Sequence, residues 1–468
     1  MDLAKKIVVI GAGPTGLGAA WRLQEARHPD WQLLEAASVP GGLSQSVRDP
    51  HGFTWDLGGH VLFSHYEYFD RVMDDLLESN WVEHIRESWV WMRDRFIPYP
   101  LQNNIRRLPV EDLSLCLKGL LAVHGKTASG PPPANFKEWI LQQFGTGLAD
   151  VFMLPYNRKV WAYKPDRLSV GWMGERVSAV DLGRILENII RQTDDVSWGP
   201  NHKFRFPLRG GTGAIWQACW NRLSQERVHL NRHVQRIDMH RKVVRLGSGE
   251  ELSYDALIST MPMEVLLRMT EGCPEVSQLA AEFRYSSSHI FGIGIEGATP
   301  ESLQTKCWMY FPEPDLPFYR VTVFSNYSPN NVPEPGKYWS LMCEVSESPE
   351  KPVDSTTILS DVISGCRNAQ LIPPDSRIVS SWSRRLEHGY PTPFVGRDEL
   401  LGRIRPTLEQ HSIFSRGRFG AWKYEVSNQD HSFMQGVEVV DRLLRGWEET
   451  TLEQPNVVNS RRNPIRPV

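Results

Sequence analysis

Gly11-Ala12-Gly13-Pro14-Thr15-Gly16 lies between a short β-branched run, residues 6–10, and an apolar segment, residues 17–23, that is typical of a helix. A second strand-like run, residues 31–34, ends beside the acidic Glu35. In such a unit the first glycine makes a tight turn, the second lets the backbone approach a pyrophosphate, and the third lets the helix pack on the strand. The acid accepts a hydrogen bond from a ribose hydroxyl. The pattern predicts a dinucleotide-binding βαβ unit in an α/β protein.

Two glycine pairs follow this unit closely, in Pro40-Gly41-Gly42-Leu43 and in Trp55-Asp56-Leu57-Gly58-Gly59-His60. Glycine permits positive φ and a close approach of a ligand to the backbone. Either pair alone is compatible with an ordinary turn, but the two together favour an extended ligand lying against the chain. FAD, which is buried along its length, fits this pattern better than a nicotinamide cofactor does, so we expect a flavoprotein.

The composition excludes several classes of protein. The 468 residues carry 52 Lys and Arg against 55 Asp and Glu, a net charge of −3, so we expect no nucleic-acid partner. The six cysteines are widely spaced and lack zinc-ligand spacing, which predicts no disulfide and no metal site and fits a reducing compartment. No apolar stretch is long enough to cross a bilayer. We therefore expect a cytoplasmic protein without membrane insertion, large enough for two or three domains.

Hydrophobic patterns divide the rest of the chain into elements. Helices are predicted over residues 68–77, 113–123, 135–143, 214–223 and 437–444. Strands are predicted over residues 233–239, 242–246 and 256–260, with a hairpin turn at Gly247-Ser248-Gly249, and a sheet over residues 285–345. Residues 125–133 are predicted to form an exposed loop and residues 454–468 a loose tail.

The glycine-rich turn Arg209-Gly210-Gly211-Thr212-Gly213 precedes a helix, which indicates that the nucleotide fold resumes there. We predict an α/β protein whose discontinuous Rossmann-like FAD-binding domain comprises residues 1–65, 205–265 and 415–450. A mainly helical substrate and flap domain (66–204) and an antiparallel-sheet substrate domain (266–414) are inserted in it, and residues 451–468 form a C-terminal tail. Substrate would meet the flavin where these domains join.

Several long strings identify a resemblance to a known family. They are Asp56-Leu57-Gly58-Gly59-His60-Val61, Pro98-Tyr99-Pro100-Leu101-Gln102-Asn103-Asn104, Pro155-Tyr156-Asn157-Arg158-Lys159-Val160-Trp161, Gly174-Glu175-Arg176-Val177, Trp198-Gly199-Pro200-Asn201, Phe318-Tyr319-Arg320, His388-Gly389-Tyr390-Pro391-Thr392-Pro393 and Gly417-Arg418-Phe419-Gly420-Ala421-Trp422-Lys423-Tyr424-Glu425. With these strings the chain resembles the UDP-galactopyranose mutases over roughly residues 5–440. It is more similar to the long eukaryotic, fungal type than to the short bacterial type.

The resemblance implies an isomerase that interconverts UDP-galactopyranose and UDP-galactofuranose with no net redox change. FAD must be reduced first, in the eukaryotic type by NADPH or NADH. The reduced flavin N5 then forms a covalent adduct with the anomeric carbon of the sugar, and UDP leaves. The sugar opens and recloses through a different hydroxyl before UDP returns.

The resemblance also implies three sets of site residues. The catalytic set is Arg176, Arg320, His60 and Asn157. The substrate-binding set is Tyr99, Gln102, Phe152, Trp161, Asn201, Trp308, Tyr310, Tyr327, Tyr390 and Tyr424. The cofactor-binding set is Gly11, Gly13, Gly16, Glu35, Gly42, Gly59, His60, Val234, Arg418 and Asn428, with no metal.

The chemistry of these side chains is consistent with those roles. A guanidinium matches two phosphate oxygens and stays charged, so Arg176 and Arg320 would stabilise the departing UDP. The hydroxyls of Tyr390 and Tyr424 would donate to the same phosphates. Aromatic faces and an amide suit uracil, as in the set Tyr99, Gln102 and Phe152. Taken singly, an arginine is more often part of a surface ion pair and a tyrosine an ordinary core residue.

The chain departs from the fungal pattern in two places. Ser178-Ala179-Val180-Asp181 stands where the eukaryotic pattern tends to Ala-Pro-Asn, in the first of two segments expected to be mobile flaps; Asn201 lies in the second. Residues 327–338 are shorter than the matching segment of fungal relatives, which carries a long insertion. The oligomeric state, monomer or dimer, therefore stays open.

Three alternatives remain at this point. The chain is compatible with a mutase for another nucleotide sugar, such as UDP-N-acetylgalactosamine or UDP-arabinose. It is also compatible with an FAD-dependent oxidoreductase of the amine-oxidase or desaturase kind, or with an FAD-binding scaffold without turnover. The arginine pair and the two tyrosines favour a mutase, because an amine or a polyene has no diphosphate to bind.

Overall fold

A computed structural model describes residues 5–125, 131–174, 177, 180–196 and 202–467 of the chain. The strands are β1 (Ile7–Ile10), β2 (Trp31–Leu34), β3 (Ser46–Arg48), β4 (Thr54–Asp56), β5 (Trp81–Ile85), β6 (Ser88–Met92), β7 (Arg95–Pro98), β8 (Lys203–Pro207), β9 (Val228–His229), β10 (Val234–Asp238), β11 (Val243–Leu246), β12 (Glu251–Ser253), β13 (Ala256–Ser259), β14 (Thr270–Glu271), β15 (Tyr285–Glu296), β16 (Trp308–Tyr310), β17 (Arg320–Val323), β18 (Tyr338–Glu347), β19 (Ile378–Pro391) and β20 (Ile413–Ser415).

The helices are α1 (Pro14–Glu25), α2 (Glu67–Leu77), α3 (Val110–His124), α4 (Phe136–Leu148), α5 (Leu154–Trp161), α6 (Leu182–Arg191), α7 (Gly213–Arg222), α8 (Met263–Met269), α9 (Pro274–Ser277), α10 (Phe324–Tyr327), α11 (Ile358–Asn368), α12 (Arg397–Gln410), α13 (Gln429–Arg445), α14 (Thr450–Glu453) and α15 (Pro455–Asn459). No helix within the described ranges has the length and the apolar character needed to cross a membrane.

The nucleotide fold is built on a parallel sheet in the order β20-β13-β1-β2-β9. All four residues of β1 are buried, because helices cover both faces of this sheet. Ile7 and Val9 pack in a core that includes α1, α7 and α13, whereas Val8 and Ile10 pack in a core that includes α8 and α12. The α/β class and the first βαβ unit predicted from the glycine pattern are confirmed.

The backbones of helices α1 and α13 approach each other closely at two glycines. A Cβ atom on Gly18 would lie 2.3 Å from the carbonyl oxygen of Phe433, and one on Gly436 would lie 2.0 Å from that of Thr15. The helix predicted over residues 437–444 is therefore only the second half of α13. Its first half contains buried polar residues, including Asp430, so a search for apolar periodicity did not detect that half.

A second, seven-stranded sheet has the order β19-β15-β18-β17-β16-β6-β7. Its neighbouring strands are antiparallel except for β16 and β6, which run parallel, so the sheet is mixed rather than purely antiparallel as predicted. Strands β6 and β7 come from the segment that we expected to be mainly helical. The division of the chain into domains remains a prediction.

Most of the predicted local elements are confirmed. Helices α2, α3, α4 and α7 and strands β10, β11 and β13 match their predicted segments to within one residue at each end that falls short. Strands β11 and β12 pair as the predicted hairpin. The predicted sheet over residues 285–345 contains β15 to β18, but the short helix α10 interrupts it. The predicted loop 125–133 lies partly outside the described residues.

The C-terminal segment, residues 450–467, is packed against the protein, so the prediction of a loose tail is wrong. Leu452 is fully buried and Val458 is 1% exposed. Arg22 donates a hydrogen bond to the carbonyl oxygen of Pro467. Helices α14 and α15 are too short to give a periodic hydrophobic pattern, which explains why the sequence did not reveal them.

Candidate active site

A cavity of about 720 Å³ lies along the Gly11–Gly13 turn and continues between the two large sheets. A smaller cavity of about 150 Å³ is lined by α5 and the turn before it. The two cavities share five lining residues, which are Tyr99, Tyr310, Arg320, Tyr390 and Tyr424. A ligand that extends from one cavity into the other would therefore contact all five.

The glycines of the first turn bring backbone close to backbone. Gly11 has a φ of +97°, and a Cβ there would lie 2.2 Å from Thr260 Oγ1. A Cβ on Gly16 would lie 1.8 Å from the carbonyl oxygen of Gly11, so Gly16 serves the packing of α1 and does not line the cavity. Gly42 approaches Gly13 closely, since a Cβ on Gly42 would lie 3.2 Å from the Gly13 Cα. Gly11, Gly13 and Gly42 line the larger cavity.

Glu35 stands at the end of β2 and lines the same cavity. Its carboxylate accepts hydrogen bonds of 2.7 Å from the backbone N–H groups of Ala12 and Ala37. These bonds fix the acid beside the turn, as the dinucleotide pattern requires. Val234 was predicted to contact the cofactor, but it is buried at the start of β10 and lies outside the cavity lining.

The loop Gly58-Gly59-His60 forms another part of the wall. The Gly59 N–H donates to Glu344 Oε1 at 3.0 Å. Burial lowers the pKa of His60 to about 4; Arg418 and Arg320 also lower it, while Glu344 opposes them. The imidazole is therefore neutral at pH 7 and presents no positive charge to a ligand.

Arg320 lies on β17 directly opposite Glu344 on β18. Its Nε and Nη2 atoms donate to the two carboxylate oxygens at 2.7 and 2.8 Å, and the Tyr319 hydroxyl donates to Glu344 Oε2 at 2.7 Å. Burial favours the neutral acid, but Arg320 outweighs it, so the pKa of Glu344 is lowered. Glu344 and Tyr319 were not predicted as site residues. Tyr319 stands beside Arg320 in the sequence, whereas only strand pairing brings Glu344 there.

Arg418 lies between the two predicted phosphate-binding tyrosines. Its guanidinium carbon is 5.0 Å from the ring centroid of Tyr390 and 5.6 Å from that of Tyr424. Its Nη1 donates to Ser427 Oγ at 2.9 Å. Arg418 and Asn428, the N-cap of α13, both line the larger cavity, and Arg418 lies beside Tyr390.

The smaller cavity is aromatic with one amide. The rings of Phe152 and Tyr156 stack at 5.2 Å with an interplanar angle of 8°. Phe152 lies on a π-helical turn, Ala149–Met153, between α4 and α5. Gln102 is 2% exposed, and its Oε1 atom has no hydrogen-bond partner among the described residues. A flat ligand with an N–H group would supply the missing donor.

Asn157 and Trp161 lie on α5 and complete this cavity. Asn157 Nδ2 donates to the carbonyl oxygen of Met153 at 2.8 Å. The Trp161 ring contacts the rings of Tyr424 at 4.8 Å and Tyr390 at 5.7 Å. Both residues therefore lie in the smaller cavity, with Trp161 beside two of the residues that line both cavities, and their roles toward a substrate remain predictions.

Trp308 and Tyr310 line the larger cavity, and Trp308 Nε1 donates to the Tyr310 hydroxyl at 2.8 Å. The guanidinium of Arg86, which was not predicted, lies 4.7 Å from the Trp308 ring and lines the same cavity. Tyr327 is 1% exposed and packs against Phe206, outside the lining of both cavities. Arg176 and Asn201, with most of the two predicted flaps, lie outside the described residues.

Three potential metal ligands, His65, Asp430 and His431, meet in the protein interior. His65 Nδ1 lies 2.9 Å from Asp430 Oδ2, and His431 Nδ1 lies 2.9 Å from the Tyr66 hydroxyl. The two imidazole rings stack at 4.8 Å. His65 thus bonds to Asp430 and His431 to Tyr66, and these side chains form a buried polar network at the start of α13.

Comparisons with known proteins agree with this geometry. The sequence pattern of the family described as flavin containing amine oxidoreductase matches residues 14–459. A crystal structure of a reduced UDP-galactopyranose mutase superimposes with a TM-score of 0.96. It is 52% identical in sequence and covers 99% of this chain and 98% of that one. A fatty acid isomerase from P. acnes, 14% identical with a TM-score of 0.64 over 95% of this chain and 100% of that one, shares the fold alone.

Curated relatives are more distant. A 15-cis-phytoene desaturase of Glycine max is 24% identical over 56% of this chain and 48% of its own length. Protoporphyrinogen oxidase 2 of Arabidopsis thaliana is 23% identical over 55% of this chain and 58% of its own. The chain spans about half the length of these curated relatives.

Proposed function

We propose that this chain, which belongs to the flavin-containing amine oxidoreductases and within them to the UDP-galactopyranose mutases, interconverts UDP-galactopyranose and UDP-galactofuranose with FAD as its cofactor. The observation that carries the proposal is the sharing of Arg320, Tyr390 and Tyr424 by the two cavities. A nucleotide sugar lying across the junction would have its base in the smaller cavity, its diphosphate at these three side chains, and its sugar in the larger cavity.

The residues of the larger cavity fit FAD. Gly11, Gly13 and Gly42 line it without side chains, so an extended ligand can contact their backbone directly. We assign FAD to Gly11, Gly13, Glu35 and Gly42 at its nucleotide end, and to Arg418 and Asn428 at its flavin end. When bound and reduced, FAD supplies a nucleophilic nitrogen for the ring contraction without net redox change.

Gln102 and Phe152 would select the base. The Gln102 Oε1 atom, buried without a partner among the described residues, would accept a hydrogen bond from the uracil N3–H, and the Phe152 ring would stack on the base. Purine bases are larger, and the smaller cavity measures only about 150 Å³. These contacts support a uridine nucleotide as the substrate.

Arg320 would stabilise the diphosphate of the departing UDP, because its guanidinium carries a fixed charge at the junction of the cavities. The hydroxyls of Tyr390 and Tyr424 would donate to the same oxygens, and Arg176 would also bind the diphosphate. Trp161, whose ring contacts those of Tyr390 and Tyr424, would position these two side chains, and Asn157 would contact the nucleotide from the smaller cavity. The neutral His60 would bind through hydrogen bonds rather than charge.

The experiment that tests the proposal compares reduced and oxidised protein. Purified protein with bound FAD is mixed with UDP-galactofuranose, with and without dithionite, and UDP-galactopyranose is measured by chromatography. Conversion in the reduced sample alone is the expected result. Absence of conversion in both samples, with the flavin bound and reducible, would contradict it.

We further propose NADPH or NADH as the reductant. Anaerobic mixing of the oxidised protein with each nucleotide, followed by loss of the flavin absorbance, distinguishes the two. If neither bleaches the flavin, a different electron donor is required.

A further inference from the structure

The C-terminal segment, residues 450–467, contacts two loops that present site residues. One is the loop 61–66, which directly follows His60. The other is the loop 422–427, which carries Tyr424. We propose that the C-terminal segment positions these two loops and that Asn459 and Asn463 are its positioning residues. This inference rests on the proposed function and extends it to a part of the chain outside both cavities.

Asn463 joins the first loop through backbone and side chain. Its N–H and its Nδ2 atom donate to the carbonyl oxygen of His65 at 2.7 and 3.1 Å, and its own carbonyl oxygen accepts from the Glu67 N–H at 3.0 Å. The side chain is only 7% exposed. Asn463 therefore pairs with residues 65–67 through a single β-bridge to Tyr66.

Other residues of the segment support the same loop. Arg462 donates to the carbonyl oxygen of Ser64 at 2.7 Å and forms an ion pair with Asp70. Thr451 Oγ1 lies 2.9 Å from the Tyr66 hydroxyl. Phe63 lines the larger cavity, so the loop 61–66 contacts the cavity on one side and the C-terminal segment on the other.

Asn459 joins the second loop. Its Nδ2 atom donates to the carbonyl oxygen of Glu425 at 3.1 Å, and Lys423 Nζ donates to that of Leu452 at 3.3 Å. Both bonds flank Tyr424, whose ring lines both cavities. Val458 lies between the two loops, in the same apolar core as Val426 and Tyr66.

These contacts connect the C-terminal segment to each of the two loops independently. A change at Asn463 acts on the chain that follows His60 and hence on the flavin end of the larger cavity. A change at Asn459 acts on Tyr424 and hence on the diphosphate of a bound nucleotide. If the segment only covered apolar surface, changes in it would lower stability but would not affect the flavin end and the diphosphate separately.

The test uses the full-length protein with bound FAD and compares three variants: Asn463→Ala, Asn459→Ala and Arg466→Ala. Arg466 is the matched control, because it anchors the same segment to Asp441 on α13 and to the carbonyl oxygen of Glu448, which follows that helix. Its hydrogen bonds and ion pairs within the described residues do not include either loop. The measurements are kcat and KM for UDP-galactofuranose, the dissociation constant of UDP, the flavin absorbance spectrum and the temperature of unfolding.

We expect Asn463→Ala to lower kcat by about tenfold and to shift the flavin absorbance, and Asn459→Ala to raise KM and the UDP dissociation constant by about tenfold with an unchanged flavin spectrum. Arg466→Ala should lower the unfolding temperature to a similar extent without either effect. The inference is overturned if both asparagine variants differ from wild type no more than Arg466→Ala does. If Asn463→Ala does not fold, Arg462→Met replaces it with the same expected readouts.

The two proposals can fail separately. If the reduced wild-type protein does not convert the sugar, the proposed function is wrong, and the flavin spectrum and UDP affinity of the variants still decide the role of the segment. If the wild type converts the sugar and the variants match the control, only the present inference is wrong.

Discussion

Arg320 and Glu344 are cross-strand partners on β17 and β18, and two hydrogen bonds of 2.7 and 2.8 Å join the guanidinium to the carboxylate. Glu344 also accepts from the Gly59 N–H. One buried carboxylate therefore contacts both the residue proposed to bind the diphosphate and the loop that precedes His60. Its negative charge compensates Arg320 when no anionic ligand is bound.

Replacing Arg320 should reduce turnover much more than flavin content. Arg320→Ala removes charge stabilisation of the departing diphosphate, and we expect kcat to fall by about 100- to 1000-fold. It also leaves Glu344 buried without its partner, at a cost of about 3–5 kcal/mol in unfolding free energy. Steady-state kinetics and urea unfolding measure the two effects, and the absorbance of bound FAD should remain.

A double variant separates catalysis from stability. Arg320→Met combined with Glu344→Gln removes both charges, so it should recover most of the lost unfolding free energy while turnover stays low. Wild-type turnover in the double variant would show that Arg320 has no role in the reaction.

Replacing Gln102 by leucine should weaken uridine binding. The variant keeps the size of the side chain but removes the buried Oε1 acceptor, so we expect the dissociation constant of UDP to rise by about 10- to 100-fold, equivalent to roughly 1.4–3 kcal/mol. Quenching of protein fluorescence by UDP measures it. Gln142→Leu, on the outer face of α4, is the control and should bind UDP like wild type. Equal affinities in the two variants would contradict the base assignment.

Gly16→Ala should prevent FAD from being retained. The new Cβ would lie 1.8 Å from the Gly11 carbonyl oxygen, so the first turn and α1 have to separate. Gly402→Ala is the matched control, because no described heavy atom lies within 4 Å of a Cβ there and the residue lies inside α12. That variant should gain about 1 kcal/mol of unfolding free energy and keep its flavin. Flavin-to-protein absorbance ratios compare the two.

Stability should depend on pH through Asp56. Burial raises the pKa of this carboxyl to about 7, although hydrogen bonds from Ser46 and Thr212 lower it. The folded state then binds a proton that the unfolded state releases between pH 4 and 7. The corresponding stabilisation is complete below pH 4 and is lost as the pH rises to 7, by on the order of 4 kcal/mol.

Asp56→Asn tests this directly. Urea unfolding of the variant between pH 5 and 7.5 should lack the part of the slope that wild type shows. Glu438, whose pKa burial also raises to about 7, contributes equally to both proteins and cancels in the difference. Parallel pH profiles would mean that Asp56 is ionised in the folded protein.

The sequence predicted those parts of the fold whose signals are local. The glycines from Gly11 to Gly16 and the β-branched β1 specify the first βαβ unit within a few residues, because turn geometry and strand burial act there directly. The larger cavity could likewise be anticipated from the glycines near Gly42 and Gly59. Gln102 and Tyr390, which the family resemblance assigned to the substrate, line cavities in the structure, and their roles remain predictions.

Features that depend on distant pairing were not predictable. Glu344 is an ordinary acidic residue on a strand until β18 pairs with β17. The single-turn helix α15 is too short to show a periodic hydrophobic pattern. The burial of Val458 can be recognised only once the residues that pack against it are known. Tyr327 shows the reverse case, since the family resemblance implied a substrate contact and the side chain packs against Phe206, outside the lining of both cavities.

The packing of α1 on α13 has a consequence for folding during synthesis. Gly18 and Gly436 fit their helices together only when both are present, so a chain emerging from the ribosome holds α1 without its partner until more than 400 residues later. At ~5–20 residues per second that wait lasts roughly 20–80 s. During this time β1 can pair with β2 and then β13, but the face of α1 that α13 covers in the finished protein lacks that partner.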